Sequence, residues 1–172
     1  MTTPHALILL DRDGVLNRER GMHTWELSDF EILPGVVPAL REAAAAGYRF
    51  AVITNQSGIG LGLYGHEEVR TLHVALRRSM EDHGVRLEEV LYCPHHPSRG
   101  RCLCRKPGGL LVERALARMG MSAANSWFIG DRERDMEAAR SVGVRGLLVE
   151  ANSDLRQAVS YILAHDEELD QS

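Results

Sequence analysis

An α/β fold built on a doubly wound parallel sheet is what this 172-residue sequence predicts, and three features predict it. Short apolar runs, of the kind required by strands buried on both faces, recur along the chain. Segments with helical apolar spacing separate them, as parallel connections need. Acidic, amide and hydroxyl residues directly follow the runs, at the strand ends where ligands bind in open α/β sheets.

Ala6-Leu7-Ile8-Leu9-Leu10 is the first such run, and it delivers Asp11-Arg12-Asp13-Gly14-Val15-Leu16-Asn17 to the sheet edge. Arg18 to Leu33 is mixed and polar, a loop expected to lie over the strand ends as a substrate-facing flap. Pro34-Gly35 opens a helix carrying Val36, Val37, Leu40, Ala43 and Ala44, with Gly47 where a C-terminal cap belongs. Phe50 to Ile53 is the second strand and presents Thr54-Asn55-Gln56-Ser57. Val69, Leu72, Leu76 and Met80 mark a long amphipathic helix ending near His83-Gly84. A short strand over Glu89 to Tyr92 leads into a cysteine-bearing segment, and Leu110 to Met119 is a helix closed by Gly120. Ser126 to Ile129 is the fourth strand, with Gly130-Asp131 at its end, and a helix over 133–142 stops at Gly143. Gly146 to Val149 is the fifth strand, and Leu155, Val159 and Ile162 mark a final helix capped near Asn152 or Ser153.

The length suits one core, so a single domain over 1–172 is expected, with an insertion at about 93–104. A net charge of −4 with dispersed arginines argues against nucleic acid as a partner. No apolar stretch approaches a membrane span, and Met1 to His5 is too short and lacks the Lys or Arg of a secretory leader. A cytoplasmic monomer with a small-molecule partner is the expectation.

Asp11 and Asp13 are two residues apart, so one turn can aim both carboxylates at a common point. At about 4 Å and an effective dielectric near 20 their repulsion is on the order of 4 kcal/mol, which implies a cation, a shared proton or divergent directions. The predicted strand ends add Thr54 and Asn55, Arg105 and Lys106, and Asp131 with Asp135. Acids, a hydroxyl and a lysine suit phosphoryl transfer, in which Mg²⁺ on hard oxygen ligands and an ammonium offset the phosphate charge. Asp11 and Asp131 are the candidate side-chain ligands. Asp135 is either an acid supporting that ion or a first-turn acid answering the helix dipole.

Asp-x-Asp-Gly after strand one, Thr after strand two, a Lys before a helix and Gly-Asp-x-x-x-Asp resemble, in order and over nearly the whole chain, the haloacid dehalogenase superfamily. The resemblance implies that Asp11 is a nucleophile forming an aspartyl-phosphate. It implies that Asp13 protonates the leaving oxygen and then activates water. Thr54 and Lys106 would hold phosphoryl oxygens, with Mg²⁺ on Asp11, the Asp13 carbonyl and Asp131.

Cys93, His95, Cys102 and Cys104 place four metal-binding groups within twelve positions, a spacing that suits a closed, structural Zn²⁺ site. His96 is the alternative to His95, and the competing reading is buried thiols with a vicinal redox pair. Zinc would stiffen the loop and so place Arg105 and Lys106. Within the superfamily, Cys-Pro-His-His-Pro and Cys-Leu-Cys-Arg-Lys-Pro resemble the heptose-bisphosphate and histidinol-phosphate phosphatases, both zinc-loop enzymes without a large cap domain. The Asp11–Asn17 and Thr54–Ile59 segments look more like the heptose type, which implies that Asn55, Arg105 and Lys106 contact substrate. Residues 124–132 look like the histidinol type, and Leu61 stands where many heptose enzymes have Arg.

A rival of another class is a receiver-like signalling domain with a phosphorylated Asp, which would lack the zinc loop. A zinc-dependent interaction module is a third reading. Gly60-Leu61-Gly62-Leu63-Tyr64-Gly65 matches the dinucleotide fingerprint literally but does not open off a strand. A loop closing over substrate is expected there instead. His66, His73 and His83 read as surface or helix-cap residues.

Overall fold

The computed structural model describes residues 6–170, without the side chains of 168–170; Met1–His5, read above for a leader, lie outside the described residues. Five strands form one parallel sheet: β1 Ala6–Leu10, β2 Tyr48–Asn55, β3 Leu87–Cys93, β4 Ser126–Gly130 and β5 Arg145–Leu148, in the order β3-β2-β1-β4-β5. The connecting helices are α1 Val36–Ala45, α2 His66–Glu81, α3 Leu110–Met119, α4 Glu133–Val142 and α5 Leu155–Asp170. Among the described residues no helix is long and apolar enough to cross a membrane.

The unbroken apolar runs are explained by burial on both faces. Ile8, Leu10, Phe50, Val52, Trp127 and Ile129 join one apolar cluster with α1 and α5, whereas Leu7, Leu9, Ala51, Ile53 and Phe128 join a second with α3 and α4. Successive strand residues point to opposite faces, so a doubly covered sheet needs apolar residues at every position.

Several boundaries move. β2 begins two residues before the expected Phe50, because parallel pairing carries it to Tyr48 opposite Ala6. Polar Arg49 is tolerated there by its bidentate pairing with Glu88 of β3. β5 starts at Arg145 rather than Gly146, since Trp127 of β4 pairs with Arg145. The cap of α5 falls one residue later than expected: the Asp154 carboxylate accepts from the Arg156 N–H at 3.0 Å, while Asn152 takes a positive φ of 63° and donates its N–H to the Gly14 carbonyl.

Chain order places the site. The chain runs outward from β1 to β2 and β3, then returns to the other side of β1 for β4, so the connections diverge between β1 and β4. A crevice opens at such a switch point. Asp11 follows β1, Asp131 follows β4, and the Asp11 N–H donates to Ile129 O at 3.0 Å.

At the opposite edge, α5 is fastened by Asp166, which accepts from Tyr48 Oη, Trp127 Nε1 and Arg145 Nη1. Its removal takes a shared acceptor from three donors, at about 1–3 kcal/mol. Asp166→Ala is therefore expected to lower Tm by about 4–10 °C while leaving activity at temperatures below the transition intact; an unchanged melting curve would contradict this anchoring.

Candidate active site

The turn after β1 folds back on itself: the Arg12 carbonyl accepts from the N–H groups of Val15, Leu16 and Asn17, and the Gly14 N–H donates to Asn17 O. Gly14 has φ +87°, and a Cβ there would stand 2.5 Å from Asp131 Oδ2. Only glycine meets both demands.

The two acids of this turn diverge, each toward its own cation. Asp11 Oδ1 lies 2.9 Å from Lys106 Nζ, and Asp13 Oδ1 lies 2.9 Å from Arg12 Nη2. Burial pushes Asp11 up to about 7 despite the opposing Lys106. Burial also pushes Asp13 up, but Arg12 and hydrogen bonds from Asn17, Arg12 and Gln56 outweigh it and hold its carboxyl below the usual range. Asp13 therefore rests as an anion.

Lys106 is 1% exposed, and its ammonium meets Asp11 Oδ1, Asp135 Oδ1 at 2.7 Å and the Ile53 carbonyl at 2.9 Å. Burial alone would depress it, yet the two carboxylates raise it above the ordinary lysine value. Asn55 positions it through the backbone: Oδ1 accepts from the Lys106 N–H at 3.1 Å, and Nδ2 donates to the Lys106 carbonyl at 3.2 Å. The side-chain amide that was expected to meet substrate is thus engaged on both sides, although Asn55 does line the cleft.

Asp131 completes the acid group. Its side chain is 1% exposed, neither carboxylate oxygen has a hydrogen-bond partner, and the nearest cation is Arg132 Nε at 3.5 Å. Burial and the nearby Asp135 raise its pKa. A buried carboxylate without donors is costly. Carboxylate oxygens of Asp11, Asp131 and Asp135 lie within 4.8 Å of one another. Four carboxylates, those of Asp11, Asp13, Asp131 and Asp135, face two buried cations, Arg12 and Lys106, with the half-exposed Arg132 at the edge, so the fully ionised set carries more negative charge than the buried cations offset. A divalent ion on hard oxygen ligands fits that set.

These groups open into a cleft of about 400 Å³. Asp11, Asp13, Thr54, Asn55, Arg105 and Asp131 line it, Lys106 lies beneath its floor, and residues 19 and 21–24 of the long loop form one wall, as a flap would. The Thr54 hydroxyl accepts from Gln56 Nε2 at 2.9 Å, which leaves its own hydrogen free to donate. Arg105, Arg132 and Arg134 stand at the rim, so positive side chains surround an acidic floor in a chain of net charge −4.

Beside the cleft, Cys93, His95, Cys102 and Cys104 converge. Cys93 Sγ is 3.7 Å from Cys102 Sγ and 3.1 Å from Cys104 Sγ, and His95 Nδ1 is 3.5 and 3.2 Å from the sulfurs of Cys93 and Cys104. Disulfide sulfurs sit at about 2.05 Å; sulfurs sharing a tetrahedral Zn²⁺ at about 2.3 Å lie roughly 3.7 Å apart. All three cysteines are free, and the spacings fit a metal rather than a disulfide. His96 is turned away, its Nδ1 2.7 Å from Ser98 Oγ.

Sequence reasoning missed several residues here. Arg12 signals itself only as a cation lodged between two acids after a buried strand, and Gln56 lay inside the Thr54 segment without a role. Asp135, read as an either-or, serves both Lys106 and the α4 N-terminus, where Oδ2 accepts from the Arg132 N–H at 3.1 Å. His73, read as a surface or cap residue, is 6% exposed and 3.2 Å from Arg12 Nη1; the α2 pattern buries it between Leu72 and Leu76. His83 does cap, its Nδ1 lying 2.7 Å from Ser79 O. The glycine-rich loop does not line the cleft. It packs on the cysteine loop instead, where Gly60 N donates to Pro94 O and a Cβ would stand 2.7 Å from His96 N.

With this geometry in place, comparison with known proteins is informative. Residues 103–167 match the family model Hydrolase_like, described as HAD-hydrolase-like. The chain is 35% identical over 150 residues to the D-glycero-beta-D-manno-heptose-1,7-bisphosphate 7-phosphatase of Pseudomonas putida, across 87% of this chain and 85% of that protein. It is 39% identical over 145 residues to the protein of the same name from Escherichia coli K12, across 80% and 74%. The crystal structure of D,D-heptose 1,7-bisphosphate phosphatase from B. bronchiseptica, complexed with magnesium and phosphate, superposes with a TM-score of 0.84 at 26% identity, covering 93% of this chain and 99% of that one.

Because burial pushes Asp11 up to about 7, protons compete with a cation for it below that pH. Calorimetric titration with Mg²⁺ should give an apparent Kd about tenfold weaker at pH 6 than at pH 8. Equal affinities would show that Asp11 is not a ligand.

Proposed function

The chain belongs to the D-glycero-D-manno-heptose-1,7-bisphosphate 7-phosphatase family of HAD-like hydrolases, and from that membership we propose that it removes the 7-phosphate of D-glycero-D-manno-heptose 1,7-bisphosphate. The observation that carries the chemistry is the Asp11 carboxylate at the switch point, 2.9 Å from a buried ammonium and beside an Asp131 whose oxygens lack donors. An anion can approach a phosphate only where such positive charge is supplied.

In this reading an Asp11 oxygen attacks phosphorus, and the ester oxygen leaves with a proton from Asp13. Because Asp13 rests as an anion, its proton enters with the substrate's phosphate. Water then attacks the aspartyl-phosphate, gives its proton to Asp13, and releases inorganic phosphate and free Asp11. Dividing the displacement in two lets one acid/base serve both halves. Thr54 offers its hydrogen to a phosphoryl oxygen, Lys106 offsets charge at Asp11, and Arg105 at the rim suits the second phosphate through paired N–H donors. Asn55 serves substrate binding by holding the Lys106 backbone.

Mg²⁺ would be held by Asp11, Asp131 and the Asp13 carbonyl, and when bound it supplies positive charge against the phosphoryl oxygens. Zn²⁺ would be held by Cys93, His95, Cys102 and Cys104 in a closed structural site, stapling the loop that carries Arg105 and Lys106. A monomeric, cytoplasmic enzyme acting on a sugar phosphate completes the reading.

The direct test compares kcat/KM in Mg²⁺ for heptose bisphosphate and histidinol phosphate. The former should exceed the latter by about 100-fold, on the order of 3 kcal/mol of differential transition-state binding, and Asp11→Asn should abolish turnover of both. Preference for histidinol phosphate would reassign the substrate, and a variant retaining above a hundredth of wild-type activity would remove the covalent role. For zinc, Cys102→Ser should lower the metal found by elemental analysis and Tm together; a normal zinc content would refute the ligand set.

A further inference from the structure

Arg12 is a fully buried guanidinium that turns wholly toward one of its two acidic neighbours. Its Nε and Nη2 donate to Asp13 Oδ1 at 3.2 and 2.9 Å, and Nη2 also reaches Oδ2 at 3.2 Å. The fork is pinned from behind: Nη2 donates to the Thr24 carbonyl at 2.7 Å, and Nη1 lies 3.2 Å from Nε2 of His73. A guanidinium has donors only, so His73 Nε2 accepts, which requires a neutral ring carrying its proton on Nδ1. Burial and the Arg12 charge push His73 down to about 3, consistent with that neutral ring.

His73 is itself held. It sits within α2, edge-on to the Tyr92 ring at 5.6 Å, and the Tyr92 hydroxyl is 2.7 Å from His66 Nδ1. Neither His73 nor Arg12 is among the residues lining the cleft. Asp13, in contrast, receives three of its five hydrogen bonds from Arg12, the others coming from Asn17 and Gln56.

We propose that His73 is a positioning residue: by accepting from Arg12 it aims the guanidinium fork, and the fork fixes where the Asp13 carboxyl stands for proton transfer. The inference rests on the acid–base role given to Asp13 above. With an apolar side chain at 73, one buried N–H loses its acceptor, the fork keeps only the Thr24 carbonyl behind it, and Asp13 shifts as the fork re-aims.

Leaving-group chemistry makes the effect visible. As the Asp11–phosphorus bond forms, the ester P–O bond breaks with its electron pair on the leaving oxygen, which takes the Asp13 proton. A sugar alkoxide needs that proton, whereas p-nitrophenolate departs without it. Displacement of Asp13 therefore penalises the sugar ester selectively in kcat/KM, which reports the steps through departure of the leaving group. The water attack that Asp13 also assists is common to both substrates and enters only kcat, and general loss of stability does not produce this split.

The experiment measures kcat and KM of His73→Leu and His73→Gln on the sugar bisphosphate and on p-nitrophenyl phosphate, with Mg²⁺ present. A Gln side-chain amide can offer its oxygen where Nε2 stands. His73→Leu should lose about ten- to a hundredfold in kcat/KM on the sugar ester, part of the range general acid catalysis supplies. On p-nitrophenyl phosphate its loss in kcat/KM should be less than about threefold, as expected where departure of the leaving group requires no proton, and His73→Gln should recover most activity. Should the leucine variant not fold, His73→Asn, too short to reach Arg12, provides the same contrast with glutamine. Equal losses of kcat/KM on both substrates, or a glutamine variant no better than its non-accepting counterpart, would overturn the proposal. Asp13→Asn run in parallel separates the two levels: full activity there removes the acid–base role itself, while an inactive Asp13→Asn beside an unaffected His73→Leu removes only the positioning.

Discussion

A single buried ammonium organises this site. Lys106 is on a loop, yet its Nζ lies against Asp11 at the end of β1, Asp135 at the start of α4 and the Ile53 carbonyl in β2. Burying a lysine is costly unless it is paired and fully hydrogen-bonded. Here that cost is offset only when three separate elements stand in register. The same contacts keep two carboxylates together in the interior, where their mutual repulsion would otherwise drive one to protonate. Lys106 thus links fold to chemistry: the loop cannot leave without exposing uncompensated acids, and the acids cannot converge without the loop.

Position of the loop is in turn a matter of its cysteines. Cys102 and Cys104 stand immediately before Arg105 and Lys106, and Cys93 ends β3. Sulfur and nitrogen spacings of 3.1–3.7 Å set a metal-sized knot between a sheet strand and the two basic residues. Gly60 lets the neighbouring loop press against the backbone at Pro94–His96, so the knot is supported on its outer side. In the proposed reading, two cation sites of different chemistry would divide the labour, soft ligands fixing the loop and hard ligands facing the phosphate.

Much of this was legible in sequence because it is local. Five apolar runs, the spacing of Asp11, Asp13 and Gly14, and four metal-binding groups within twelve residues each lie in a window short enough to read directly. What stayed hidden depends on tertiary directions. The repulsion between Asp11 and Asp13 left three outcomes open, and divergence toward Lys106 and Arg12 is settled only by where α2 and the cysteine loop pack. His73 carries no local mark distinguishing it from His66 or His83 until α2 turns it inward onto Arg12. Asn55 looked like a substrate contact because amides at strand ends often are; its partners are the backbone groups of a residue fifty-one positions away. Strand ends shifted by one or two residues for a related reason, since pairing across the sheet extends β2 through a polar Arg49 that its own sequence disfavours.

The central claim is that an Asp11 oxygen bonds to phosphorus during turnover. Rapid acid quench after mixing the enzyme with Mg²⁺ and substrate, followed by peptide mass spectrometry, tests it most directly. A hydroxylamine-labile phosphoryl group on the peptide bearing Asp11, formed and lost at rates that match turnover, is the expected result. Phosphate released with no phosphorylated peptide at any time, or a phosphoryl group on another residue, would contradict the account.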